Sequence, residues 1–390
     1  MKVQPVVGIQ PNILRWARES IGLSLDEVAI RLKRPIDEVE AWELGEVAPS
    51  YPQLEKLAYQ IYKRPLAVFF LPNPPEEIPP KREFRTLPEV DLENLSPDTY
   101  IQIRKAHAYQ LSLRELFFNN NPSDSRIWRD FSLSFDQPII EQAKEIRRKL
   151  GVELIHQISW KNDDVALKQW RSSVENAGIF IFKAPFKQKE LSGFCLVDNE
   201  FPVIYINNST TKTRQIFSLL HELSHILLSI NGLSKFDKSY INSLPNGEMK
   251  IERFCNAVAA EVLIPNVDFN ESSSHLPHNI ESVNEYEIAL LANRYGVSRE
   301  AILRRFLDQG RVSKEFYENK SRNWARQQKV GKGGDWYASA NSYLSERFAK
   351  EVISRHYRHQ ISIEQAADML GIKAKNYAGL EQRILQGTKI

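Results

Sequence analysis

Residues 217–230 read FSLLHELSHILLSI, an apolar stretch interrupted by His221, Glu222, Ser224 and His225. Histidines four apart lie one helical turn apart on one face, so both imidazoles can hold one Zn²⁺ ion at about 2.0–2.1 Å. Glu222 is rotated off that stripe. There it can act as general base toward a water at the ion without being a ligand itself. The remaining faces of the helix are apolar, which predicts burial, and burying two histidines and a glutamate without a task is costly. A core helix with two partnered histidines would carry the same letters, and so short a motif also arises by chance.

Catalytic zinc takes three protein ligands and leaves one position open. Residues 252–265 read ERFCNAVAAEVLIP, helical by their apolar spacing. Glu252 stands near the start of that helix and Asn256 one turn later on the same face. Glu252 can supply a carboxylate, and Asn256 can bond the far nitrogen of a ligand histidine and so fix its tautomer. Glu261, on the same helix, is a rival third ligand. An acid at Glu252 would also suit the first turn of a helix through the dipole alone. The two cysteines, Cys195 and Cys255, are 60 residues apart with no C-x-x-C pairing, and are expected to pack rather than bind metal.

HELSH at 221–225 followed by ERFCNAVAAEVLIP resembles the ImmA/IrrE family of zinc metallopeptidases. The family pattern is HExxH, a spacer of a few tens of residues, then E-x-x-A-N-x-F-A-x-x-L-[LM]-P. Cys255 stands where Ala is usual and Val258 where Phe is usual, and Val262 to Pro265 follows the end of the pattern loosely. These exchanges are apolar for apolar. The resemblance covers roughly residues 150–310 and implies a zincin-like domain with Zn²⁺ as cofactor. It implies His221, His225 and Glu252 as ligands and Glu222 as general base. Its implied substrate is an Xre-type repressor or antitoxin protein, cut to switch on genes in stress, mobile-element or defence responses. An Xre-type helix-turn-helix fused ahead of the peptidase is a recurring architecture of the family. The alternative is a DNA-binding transcriptional regulator or antitoxin whose zinc domain senses a ligand or partner without cutting. Dependence on Glu222 separates the two.

The elements that must position these residues give a mainly α, α+β reading. In the first 70 residues, Ile13, Leu14 and Ala17 begin one amphipathic helix, and Leu25, Val28, Ala29 and Leu32 a second, with Ser24 as its N-cap. Arg34-Pro35 breaks the pattern; Ile36, Val39 and Trp42 start a third that Gly45 closes, and a fourth follows Pro52. This is a helix-turn-helix layout over 1–70. A proline-rich connector and further helices fill 71–150. The peptidase domain over 151–310 is expected to contain a three-stranded sheet near 179–182, 193–197 and 202–206, with Asp198-Asn199 as a turn. An extended substrate is expected to add beside 202–206. Residues 311–390 form a helical C-terminal region, with GKGGDW at 331–336 as a joint; helix-turn-helix rhythms recur at 287–309 and 363–387.

Charge bounds the partners. The chain of 390 residues has a formal net charge of +3, too small to argue for nucleic acid by itself. The second helix of the N-terminal pair carries Asp37, Glu38, Glu40 and Glu43, offset only by Lys33 and Arg34, the candidate DNA contacts. DNA and protein both stay open as its partner. Residues 311–390 hold 15 Lys or Arg against 8 Asp or Glu, which predicts weak, salt-sensitive nucleic-acid binding there, through residues such as Arg322, Arg326 and Lys329. No apolar run is long enough to span a bilayer, and the first residues lack a signal-peptide core. Two cysteines fit a reducing compartment, most simply the cytoplasm. Oligomeric state is not readable.

Overall fold

The computed structural model describes residues 4–77, 84, 95–188, 190–235, 241, 244–327 and 336–386. Most of the proline-rich connector and residues 331–335 of the expected joint lie outside these residues. The chain divides into two units, 1–107 with 186–189, and 108–185 with 190–390.

The first unit begins with α1 (Pro11–Glu19), α2 (Leu25–Leu32) and α3 (Ile36–Leu44). Ser24 caps α2 through a reciprocal pair: the Glu27 amide donates to its hydroxyl, 3.2 Å, and its own amide donates to the Glu27 carboxylate, 2.9 Å. The chain leaves α2 at Lys33 in the left-handed region, φ 59°, and Gly45 at φ 78° ends α3. Next comes α4 (Tyr51–Glu55), running on as a wider turn over Lys56–Tyr62. Ile13, Leu14, Ala17, Val28, Val39, Trp42 and Leu54 share one core. Glu43 is buried because Arg18 donates to both its oxygens, at 2.7 and 2.9 Å. It is a strut rather than a surface charge.

Helix α5 (Pro97–Leu116) crosses the division between the units. In the second unit α6 (Ile127–Asp130), α7 (Ile139–Leu150), α8 (Leu154–Ser159) and α9 (Asp163–Asn176) lead to β1 (Phe180–Ala184), β2 (Leu191–Leu196) and β3 (Val203–Asn207). Then α10 (Lys212–Leu227) is followed at once by β4 (Leu233–Lys235). The chain continues through α11 (Asn246–Leu263), α12 (Asn266–Ser272), α13 (Glu285–Tyr295), α14 (Arg299–Asp308) and α15 (Lys314–Gln327). It ends with α16 (Trp336–Tyr343), α17 (Glu346–Tyr357), α18 (Ile363–Met369) and α19 (Tyr377–Gln386). The described residues are mostly helical around one small sheet.

That sheet has four strands in the order β1-β3-β2-β4, not the three expected from sequence. β4 is only three residues long, too short to carry an alternating pattern, and is recruited by pairing antiparallel to β2. β1 runs parallel to β3, and β3 antiparallel to β2. This also corrects the expected substrate edge. β3 is paired on both sides, so its amides and carbonyls are already satisfied and cannot receive another strand.

α10 lies across β2 and β3 and packs between α9 and α11. The core around it draws on Ile146 and Leu150 of α7, and reaches Val312 and Trp324. Arg147 crosses from α7 to α11, donating to the Val262 carbonyl at 2.6 Å. Among the described residues no helix is long and apolar enough to cross a membrane.

Candidate metal centre

α10 is held at its start by Thr211, whose hydroxyl accepts from the Arg214 amide, and is buried almost without a break from Gln215 to Leu227. Its apolar residues fix its rotation against the sheet and α9. The remaining stripe, His221 and His225, turns toward α11. There Glu252 faces them, 6% exposed, with both histidines equally hidden at 4% and 0%.

The three side chains converge through the far ends of their rings and carboxylate. The two Nε2 atoms are 3.1 Å apart, Glu252 Oε1 is 3.1 Å from His225 Nε2, and Oε2 is 3.4 Å from His221 Nε2. Ligands at about 2.0–2.1 Å around a tetrahedral ion stand about 3.4 Å from one another, so this triangle has the size that zinc requires. Among the described residues these three form the only such group of His, Cys, Asp or Glu. Two neutral-capable imidazoles and one carboxylate are also a zinc donor set by chemistry. The cluster favours positive charge at its centre. Burial works against His225 protonation, yet Cys255 and Glu252 push its pKa well up. Burial likewise works against the Glu252 carboxylate, and His225 and His221 outweigh it, holding it far below the usual carboxylate range.

Glu222 sits beside the triad, fully buried. Its polar neighbours besides the triad are the Ser234 hydroxyl and the Cys195 thiol. Burial pushes its pKa up, and the nearby His225 and His221 only partly offset this. A buried carboxylate of raised pKa that is not a ligand and stands next to a cation site is a poised proton acceptor.

Glu261, the rival third ligand, is used elsewhere. It pairs with Arg305 at 2.6 Å and accepts the Asn266 amide at 2.8 Å. Asn256 does not make the bond expected of it: Nδ1 of both His221 and His225 is buried without a partner, so no Asn256 amide reaches either ring. Being on the same helical face as Glu252 was not enough to bring the Asn256 amide to either ring. Neither cysteine joins the ligand set, and burial raises both thiols. Lys33 and Arg34 are exposed in the first unit, where Arg34 pairs with Glu38 at 3.9 Å.

Two further residues shape the site. Gly232, in the segment between α10 and β4, passes so close to the site that a Cβ would stand 2.6 Å from His225 Cγ and 3.0 Å from Glu222 Oε2. Cys195 on β2 holds this segment: its amide donates to the Gly232 carbonyl at 2.9 Å, and its Sγ accepts the Gly232 amide at 3.2 Å. A glycine seven residues beyond His225 was visible in the sequence, but periodicity gives no signal for a close approach.

Residues 174–307 match the family model described as the Peptidase_M78, IrrE N-terminal-like domain. The match takes in 134 of 390 residues, so it bears on the sheet, α10 and α11 and not on the first unit. It supports a metallopeptidase of the ImmA/IrrE kind, with zinc as the metal best suited to the triad. A search of curated proteins found no match.

Proposed function

We propose that the chain is a zinc-dependent endopeptidase that cuts a repressor- or antitoxin-type regulatory protein and thereby controls gene expression. The observation that carries the enzymatic reading is Glu222, a fully buried carboxylate that is not a ligand and stands beside the His221–His225–Glu252 triangle. A structural metal site needs no such group. When bound, zinc supplies a Lewis acid that polarises the scissile carbonyl and makes water more acidic. Glu222 takes the proton from the attacking water and returns it to the leaving amine. Its raised pKa makes it the stronger base. His221, His225 and Glu252 hold the ion, and the packing of α10 against the sheet keeps their side chains from relaxing apart. The regulatory substrate rests on the ImmA/IrrE-type match, and the free thiols of Cys195 and Cys255 fit a cytoplasmic setting.

The second reading, a regulator that senses through its zinc domain without proteolysis, is favoured by the α2–turn–α3 arrangement. Glu222→Gln separates the two. The amide keeps size and leaves the three ligands in place, so one zinc per chain is expected to remain, measured by elemental analysis. Cleavage of the repressor-like protein encoded nearby should fall by about 10²–10⁴-fold. An unchanged cellular response with full zinc occupancy would leave the regulator.

A further inference from the structure

The α2–turn–α3 unit has the layout by which many proteins insert a helix into the major groove of DNA. Its surface chemistry is different. Ile30, Leu44 and Val47 stand 74%, 56% and 55% exposed on it. By helical spacing Asp26 shares a face of α2 with Ile30, and Asp37 and Glu40 share a face of α3 with Leu44; these acids and Glu46 are exposed. None of these four carboxylates is paired with a cation among the described residues. The neighbouring arginines are already engaged, Arg31 with Glu27 at 4.0 Å and Arg34 with Glu38 at 3.9 Å. That leaves Lys33, at the end of α2, and Lys56, whose Nζ donates to the Leu32 carbonyl at 3.4 Å, against four acids.

Nucleic-acid binding rests on Lys and Arg neutralising phosphates, and helix positions entering a groove must not repel them. The first two turns of α3 put Asp37 and Glu40 there. An anionic lipid surface is excluded by the same charge. The face is also pre-organised. Trp42 and Val39 anchor α3 from beneath, Arg18 braces Glu43, and Gln53 donates to Glu38 at 2.9 Å, so little order has to be gained on binding. Exposed aliphatic side chains that share helix faces with unpaired acids match a partner that is both apolar and cationic.

We infer that this face docks a basic, amphipathic segment of another protein and is not a DNA reader. The inference goes beyond the peptidase reading and does not depend on it.

The test uses the full chain carrying Glu222→Gln, so that no peptide is cut during the measurement. The probe is a synthetic amphipathic peptide of about five helical turns, with Leu on one stripe and Lys and Arg elsewhere. Its counterpart with Glu in place of the cations is the control, and a duplex DNA of mixed sequence is a third ligand. The cationic peptide is expected to bind, and the control is not. Asp37→Lys with Glu40→Lys should weaken binding by at least about tenfold at low salt and flatten its salt dependence. Asp37→Asn with Glu40→Gln should give a smaller loss in the same direction. Circular dichroism of both double variants should match the parent chain, since both positions are on the surface. Absence of peptide binding, or equal binding by the charge-reversed chain, overturns the inference. So does duplex binding that disappears on Lys33→Glu with Arg34→Glu. Cleavage by the unaltered chain is followed separately, so either reading can fail alone.

Discussion

At the scale of single residues, the two buried glutamates of α11, Glu252 and Glu261, give opposite expectations. Glu252→Gln removes a charged ligand and should cost zinc while leaving the apo fold close to intact, read as metal per chain after dialysis. Glu261→Gln should keep zinc and lose stability instead, by roughly 1–3 kcal/mol, because Arg305 would keep a buried charge without its full partner. If Glu261→Gln strips the metal and Glu252→Gln does not, the ligand assignment is wrong. A third variant probes what sequence did not disclose. Gly232→Ala would drive a methyl into the His225 ring and the Glu222 carboxylate, so zinc affinity should fall by about 10–100-fold with the thermal transition of the rest preserved. His221, Glu222 and His225 were legible because a four-residue spacing maps directly onto one helical face. Glu252 was legible only as one of two acids. Choosing between them required Arg305, whose pairing lies 44 residues away and leaves no local mark. Asn256 shows the reverse error, since a shared face does not say where a facing imidazole points.

At the scale of elements, β3 loses the edge position expected of it, and β4, which the sequence did not disclose, holds one. β3 is interior to the sheet, whereas β4 lies at its margin directly after the metal helix and next to the segment of Gly232. An extended substrate can add only to an unpaired edge. Hydrogen exchange with a substrate bound to the Glu222→Gln chain should therefore protect 233–235 and leave 203–207 unchanged; protection confined to 203–207 would contradict the pairing. β1 supplies a second expectation. Lys183 is 4% exposed, with Gln215 Oε1 at 3.4 Å as its contact, and burial, helped by Arg171 and Lys212, pushes its pKa down to about 6. An unfolded lysine titrates near about 10.4, so between these values the unfolded chain binds the extra proton and stability rises with pH. Below about 6 both states are protonated and the full penalty applies. Lys183→Met should remove this slope and stabilise the chain at neutral pH by about 1–3 kcal/mol, measured by denaturant titration across that range. The strands themselves were readable from short apolar runs. Their order was not, because pairing is a long-range property that no run of five residues encodes.

For the whole molecule, what can be removed follows from which residues build the core around α10. That core takes Ile127 from before α7 and Val312 and Trp324 from after α14, and nothing from residues 4–77. The C-terminal helices are tied in further. Arg171 on α9 donates to the carbonyls of Ser342 and Leu344 at 3.1 and 2.8 Å, Arg347 donates to Ser123, and Phe348 packs its ring edge-on to Phe182 of β1, with centroids 5.5 Å apart. The sequence suggested cuts from proline content and from charge, which mark solvated stretches and say little about where a core ends. The two ends should therefore respond differently. A chain starting near residue 90 keeps α5 whole and is expected to fold and bind one zinc, because its core is complete. A chain ending at residue 310 exposes the apolar sites left by Val312, Trp324 and Phe348 and takes the Ser342 and Leu344 carbonyls from Arg171, which keeps the Ile181 carbonyl at 3.3 Å and Glu175 at 3.9 Å. Losing one large buried apolar side chain commonly costs about 3–5 kcal/mol, a large part of the 5–15 kcal/mol that holds a domain together. Such a chain should aggregate or melt well below the full-length protein and hold less than one zinc. Thermal melts and metal content on both truncations decide the matter: a stable, zinc-replete 1–310 chain would show that the helices after residue 310 are an appendage and not part of the metal domain.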